Sequence, residues 1–139
     1  MERSLVLIKP DAIQRGLVGI IIDRLEKVEL KLRAMKMLHM DKTLAHRHYA
    51  IHKDKPFFAS LVNYITSAPI IAIVFEGEKA IELIRKTMGA TDPAKAEPGT
   101  IRGDFGLDIE CNTIHGSDSI ETAATEIKLF FDEDEIFGY

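Results

Sequence analysis

Two short, wholly apolar runs, Leu5–Ile8 and Ile70–Phe75, constrain this chain more than any other feature. Neither alternates with polar residues, and each is bounded by turn-forming residues, so each reads as a buried strand. The segments between them carry the helical period that can cover such strands. Gly19–Leu30 sets Ile21, Leu25 and Val28 on one face, with Asp23, Glu26 and Lys27 on the other. Lys79–Met88 places Ile81, Ile84 and Met88 together and stops at Gly89. Lys31–Met40 reads as a strand, and Thr43–His52 as a helix capped by Asp41. Asp54-Lys55-Pro56 starts another helix, which Ser67-Ala68-Pro69 ends. Glu110–His115 is the last expected strand. Asp118-Ser119-Ile120-Glu121 is close to a capping box for a final helix marked by Ile120, Ala123, Ala124, Ile127 and Phe131, and Asp132–Glu135 is expected as a solvated end. The order β-α-β-αα-β-α-loop-β-α predicts an α/β sandwich in which helices cover a small sheet. The strand directions stay open at this level.

Composition removes several classes. With 139 residues, and neither linker nor internal repeat, the chain is expected to form one domain over 1–139. Hydrophobic residues are 46% and charged residues 29%, which is neither disordered nor membrane-like. The apolar runs are far too short to span a bilayer, and Met1-Glu2-Arg3 followed by Leu5–Ile8 makes no secretory signal. The single cysteine, Cys111, can make neither an internal disulfide nor a zinc cage, which fits a reducing compartment; a cytoplasmic location is expected. A net charge of −4, from 18 cations and 22 anions, argues against non-specific nucleic-acid binding, and no aromatic RNA-binding pattern is present. The P-loop and the dinucleotide glycine fingerprint are both missing. Asp104-Phe105-Gly106 matches one protein-kinase motif by accident, since the other kinase motifs are absent.

Four features carry chemistry. In Asn112-Thr113-Ile114-His115-Gly116-Ser117-Asp118-Ser119, a histidine leaves an expected strand, meets a glycine that allows close approach of a ligand, and precedes a helix start. An unprotonated imidazole held there can act as a nucleophile, or can simply be a turn histidine bonded to backbone. Glu126 lies two turns into the last helix and leans back toward it. Lys9, Arg85, Thr91 and Arg102 sit in or beside turns, where they can grip phosphate or merely solubilise the surface. Beyond Pro56, Phe58, Val62 and Ile65 form one apolar stripe, and Phe57, Leu61 and Tyr64 form a second. The extra width fits either a subunit interface or a slot for a flat ligand. His48 and His52 have the spacing of a zinc pair but lack the intervening glutamate of that motif, and next to His46 and Arg47 they read as a polar helix face.

The segment Asn112–Ser119 resembles the active-site signature of nucleoside diphosphate kinases. The likeness extends through Lys9-Pro10-Asp11, Gln14-Arg15-Gly16, His48-Tyr49, Lys55-Pro56-Phe57-Phe58, Glu76-Gly77, Gly89–Pro93, Pro98–Phe105 and Glu126. It implies a ferredoxin-like α/β (α+β) sandwich with a four-stranded antiparallel sheet covered by helices. It implies a ping-pong transfer of the γ-phosphate from a nucleoside triphosphate, such as ATP, to a nucleoside diphosphate, with broad base specificity. His115 would be the phosphorylated nucleophile, with Glu126 and Ser117 orienting it. Lys9, Tyr49, Arg85, Thr91 and Arg102 would surround the phosphates, with Lys9 and Asn112 reaching the sugar. Phe57 and Ile109 would sandwich the base, with Leu61 nearby. Mg²⁺ would ride on the nucleotide phosphates, and a homo-oligomer, hexamer or tetramer, is implied. The chain departs from the family pattern at Glu29 and Ala68, where glycine is usual, and at Asp92, where asparagine is usual.

Overall fold

A computed structural model describes residues 1–139. The strands are β1 (Glu2–Ile8), β2 (Lys31–Leu38), β3 (Ile70–Gly77) and β4 (Ile114–Gly116). The helices are α1 (Pro10–Gln14), α2 (Val18–Glu26), α3 (Lys42–His48), α4 (Phe58–Ile65), α5 (Ala80–Met88), α6 (Ile101–Phe105) and α7 (Ile120–Phe130). All neighbouring strands are antiparallel, in the order β2-β3-β1-β4. This is the ferredoxin-like sandwich.

The unalternating strands are explained by two cores. Along β1, Leu5 and Leu7 face one core, and Val6 and Ile8 face the other. Along β3, Ile70, Ala72 and Val74 join the first core, and Ile71, Ile73 and Phe75 join the second. The first core is closed by Ala45 of α3, Val62 and Ile65 of α4, and Ile127 and Phe130 of α7. The second is closed by Ile21 and Leu25 of α2 and by Ala80, Ile84 and Met88 of α5. With a period of two, a strand buried on both faces has no polar face to show.

Several elements differ from the sequence expectation. Pro10 begins α1 rather than breaking the chain, because its fixed φ suits a first helical position. Within Gly89–Gly106, Thr100 caps α6 by accepting a hydrogen bond from the Gly103 amide at 3.0 Å. Both helices are too short for an amphipathic period to reveal them. The first long helix stops at Glu26, and Glu29 adopts φ +65°, the left-handed conformation that glycine would take without strain. The helix expected over Thr43–His52 ends at His48 and continues as a 3-10 turn, Ala50–His52. The last strand begins at Ile114, not Glu110, and the N-cap of α7 is Ser119 rather than Asp118. Beyond α7 the chain turns back along β2: the Phe137 amide donates to the Arg33 carbonyl at 2.9 Å, and the Tyr139 hydroxyl to the Leu32 carbonyl at 2.6 Å. Asp132–Glu135 is therefore an exposed but hydrogen-bonded turn on the way to that contact.

Candidate active site

The pairing of β1 with β4 assembles the centre of the site. Ile8 lies opposite Ile114 and Leu7 opposite His115, so the end of β1 meets the start of β4. Lys9 follows β1 directly, and its amide donates to the Thr113 carbonyl at 2.9 Å. Its ammonium donates to Asn112 Oδ1 at 2.7 Å, while Asn112 Nδ2 donates to the Thr91 carbonyl at 3.0 Å. Thr113 makes the corner with φ +75°, an unusual value for a β-branched residue and a sign of local strain. Burial, then the Arg102 charge, lowers the Lys9 pKa to about 8.

Alternation along β4 decides where His115 points. It shares a sheet face with its partner Leu7, toward α3 and α7, while Ile114 packs in the other core. Gly116 lies on that other side, where a Cβ would approach Met88 Sδ to 2.6 Å and Ile84 Cγ2 to 2.9 Å. The glycine therefore makes room for α5, not for a ligand as the sequence suggests. His115 Nε2 lies 3.1 Å from each carboxylate oxygen of Glu126 on α7. Ser117 Oγ donates to Glu126 Oε1 at 2.7 Å and accepts from the Leu5 amide at 3.1 Å, which ties the carboxylate to the sheet. Burial pushes the Glu126 pKa up, but His115, Ser117 and His48 together outweigh it and leave the pKa below the ordinary carboxyl value. Glu126 is thus a buried carboxylate, and its bond to Nε2 leaves Nδ1 as the ring nitrogen turned away from it.

The cations sit on separate supports. Arg102, buried on α6, donates to the Ile114 carbonyl at 2.8 Å and to the Gly89 carbonyl at 3.2 Å. Burial, then the Arg85 charge, lowers its pKa to about 10. Gly89 ends α5 at φ +87°, where a Cβ would meet Thr100 Oγ1 at 2.4 Å. Arg85 is exposed and ion-paired with Asp118, the residue that does not cap α7. Thr91 is exposed, and its backbone rather than its hydroxyl holds Asn112.

One residue that the sequence reading left on a polar helix face belongs here. His48 is buried, with its ring edge-on to that of His115 at 4.8 Å between centroids. Burial, then the neighbouring His115, lowers its pKa to about 3, so it adds no charge beside His115 near neutrality. His52 does not join it: the cluster with metal-ligand chemistry is His48, His115 and Glu126. The buried partner for His48 is supplied by α7, which no local spacing reveals. Tyr49 is buried against His48 at 4.7 Å between ring centroids, and burial raises its pKa.

The expected base platform is less assembled. Phe57 is 44% exposed and Ile109 is 58% exposed, and no contact joins them. Phe57 reaches the rest of the site through His52, whose ring centroid is 5.6 Å away, and His52 leads on to Tyr49 at 6.4 Å. Leu61 is partly buried against the first core, and the Tyr64 hydroxyl bonds Asp11 at the start of α1. The second stripe on α4 is thus divided among a platform, the core and a latch.

A family model described as nucleoside diphosphate kinase matches residues 2–136. The chain belongs to the nucleoside diphosphate kinase family. A Dehalococcoides mccartyi member named nucleoside diphosphate kinase is 60% identical over 139 residues, covering 100% of this chain and 98% of its own length. One from Pyrococcus abyssi is 59% identical over 141 residues, covering 99% of this chain and 89% of its own. Among solved structures, a halophilic nucleoside diphosphate kinase from Halobacterium salinarum in complex with CDP superposes with a TM-score of 0.97 at 51% identity, covering 99% of this chain and 92% of its own. The Aquifex aeolicus nucleoside diphosphate kinase gives 0.95 at 40% identity, covering 98% and 99%. The family's fold is therefore the one described above. No helix is long and apolar enough to cross a membrane.

Proposed function

We propose that this chain, as one catalytic unit over 1–139, moves the γ-phosphate of a nucleoside triphosphate to a nucleoside diphosphate through a phosphohistidine at His115. The observation that carries this reading is the pairing of both Glu126 oxygens with His115 Nε2 at 3.1 Å. It keeps the ring proton on Nε2 and the lone pair on Nδ1. Nδ1 attacks the γ-phosphorus, a P–N bond forms, and the bond to the departing diphosphate oxygen breaks. The ring becomes a cation, and the buried Glu126 carboxylate stabilises that charge without moving. The acceptor diphosphate then attacks the same phosphorus, and the imidazole leaves with both electrons of the P–N bond. A P–N bond is labile enough to lie near both triphosphates in energy, whereas a serine ester would be a trap.

The remaining residues position charge. Lys9 and Arg102 reach the phosphates from buried supports. Arg85 joins them by exchanging Asp118 for phosphate, and Tyr49 and Thr91 add hydroxyls. Lys9 and Asn112, already bonded to each other, reach the sugar. Phe57 and Ile109 offer flat apolar faces that accept any base. The clustered side chains, two imidazoles and one carboxylate, do not match the oxygen octahedron that Mg²⁺ requires. Mg²⁺ accordingly belongs with the nucleotide phosphates, as part of the substrate. A homo-oligomer in the cytoplasm is the remaining part of the reading, with hexamer and tetramer both open.

The test is labelling with a γ-³²P nucleoside triphosphate. The wild type is expected to carry an acid-labile, alkali-stable phosphate that a nucleoside diphosphate removes. His115→Gln is expected to carry none and to lose at least about 10⁴-fold in kcat/KM. Label that survives acid, or transfer only when both nucleotides are present together, would refute the proposal.

A further inference from the structure

Behind the reacting imidazole stands a side chain that phosphoryl transfer leaves unused. The His48 side chain is 1% exposed, and neither ring nitrogen has a hydrogen-bond partner. A buried, unpaired polar atom carries a cost that a ligand could relieve. Its Nδ1 lies 3.7 Å from Glu126 Oε2, beyond hydrogen-bond range. The same Oε2 lies 3.1 Å from His115 Nε2. One ligand atom from each of the three residues lies within 4.8 Å of the others. A tetrahedral zinc site, with bonds of about 2.0–2.1 Å, holds its ligands roughly 3.3–3.5 Å apart. The two carboxylate distances already bracket that spacing, and rotation of the rings closes the third.

We propose that His48, His115 and Glu126 form a binding site for a zinc-class divalent cation, and that its occupancy silences phosphoryl transfer. Two imidazole nitrogens and one carboxylate suit zinc, cobalt or nickel, whereas Mg²⁺ and Ca²⁺ call for an oxygen shell. The partly exposed His115 side leaves a fourth position for water. To ligate through Nε2, the neutral His115 ring must carry its proton on Nδ1. The lone pair that would attack phosphorus is then gone, and the Glu126 charge is committed to the metal. The silencing half rests on the function proposed above, and the site itself does not.

The probes are CoCl₂ and ZnCl₂ added to the full chain after chelator treatment. The wild type is expected to bind one Co²⁺ per chain with the intense visible bands of four- or five-coordination, and Zn²⁺ is expected to displace it. His48→Leu is expected to weaken binding at least about tenfold, while Cys111→Ser leaves it unchanged. Phosphoenzyme labelling from a magnesium nucleotide should fall in step with Zn²⁺ occupancy and return with chelator. A cobalt spectrum that stays that of the aqua ion overturns the site and needs no substitution. Wild-type affinity in folded His48→Leu overturns it as well. Full occupancy with undiminished labelling overturns the silencing. Absence of label in metal-free protein would instead count against the phosphohistidine.

Discussion

At the inner end of the site, Lys9, Asn112, Arg102, Ser117 and Glu126 are buried and hydrogen-bonded to one another or to backbone carbonyls and amides. At the outer end, Phe57 and Ile109 stand exposed with no contact between them. The inner groups meet what every nucleotide shares, a chain of phosphates and a transferring phosphoryl group. Charge stabilisation repays preorganisation, because donors fixed in advance need no reorganisation when the barrier is crossed. The outer groups meet the base, which varies between substrates. A flat apolar face held loosely accepts all of them, and stacking needs no hydrogen-bond match.

That contrast can be broken most sharply at Glu126. Glu126→Gln keeps the shape but removes the charge, and steady-state kinetics should show kcat lower by about 10²-fold or more with KM little changed. A loss confined to KM would mean that Glu126 orients substrate rather than His115. Its lowered pKa also sets a sign. The stabilisation from Glu126 is present above the ordinary carboxyl value and is lost as pH falls through the lower folded value, so acid unfolding of Glu126→Gln should be less steep.

The next effect is on the alkaline side. Lys9 is charged below about pH 8 and neutral above it. Its folded pKa is depressed from 10.5, so kcat/KM should decline as pH rises through about 8, approaching tenfold per unit, provided phosphate binding needs its charge. The fold itself should gain stability over the same interval, because the unfolded chain binds the proton that the folded one has released. A flat kcat/KM profile through this range would place Lys9 outside the phosphate contacts.

A smaller effect belongs to the outer end. Phe57→Ala should raise KM about fivefold, to a similar extent for purine and pyrimidine nucleotides, and leave kcat nearly unchanged. A strong difference between bases would mean that this end reads identity after all. The smallest effect lies away from the site. Glu29→Gly should raise stability by about 0.5–1 kcal/mol in denaturant unfolding, by relieving the left-handed strain, with no change in activity.

Legibility followed how local each signal is. Leu5–Ile8 and Ile70–Phe75 announced buried strands because their lack of alternation is visible within a few residues. The helical stripes of α2 and α5 were equally plain. His115 and Glu126 were legible as candidates, the first from its glycine and helix-start context, the second from its place on α7. The short helices α1 and α6 were hidden, since five residues cannot display a period. His48 was misread because its burial depends on α7, far along the chain. Gly116 was misread because the atoms that exclude a Cβ there belong to α5.

By itself the sequence determined that two strands would be covered on both faces, that amphipathic helices would cover them, and that a histidine in a family signature would be the chemical centre. Apolar periodicity and short motifs are properties of neighbouring residues, so they survive without coordinates. Only the tertiary structure decided that β4 lies beside β1, that His115 points to α3 and α7 with Nε2 on Glu126, and that His48 stands unpaired behind it. Those facts depend on strand order and on which sheet face a side chain leaves. A one-residue shift in the register of β4 would turn His115 toward α5 and undo them all.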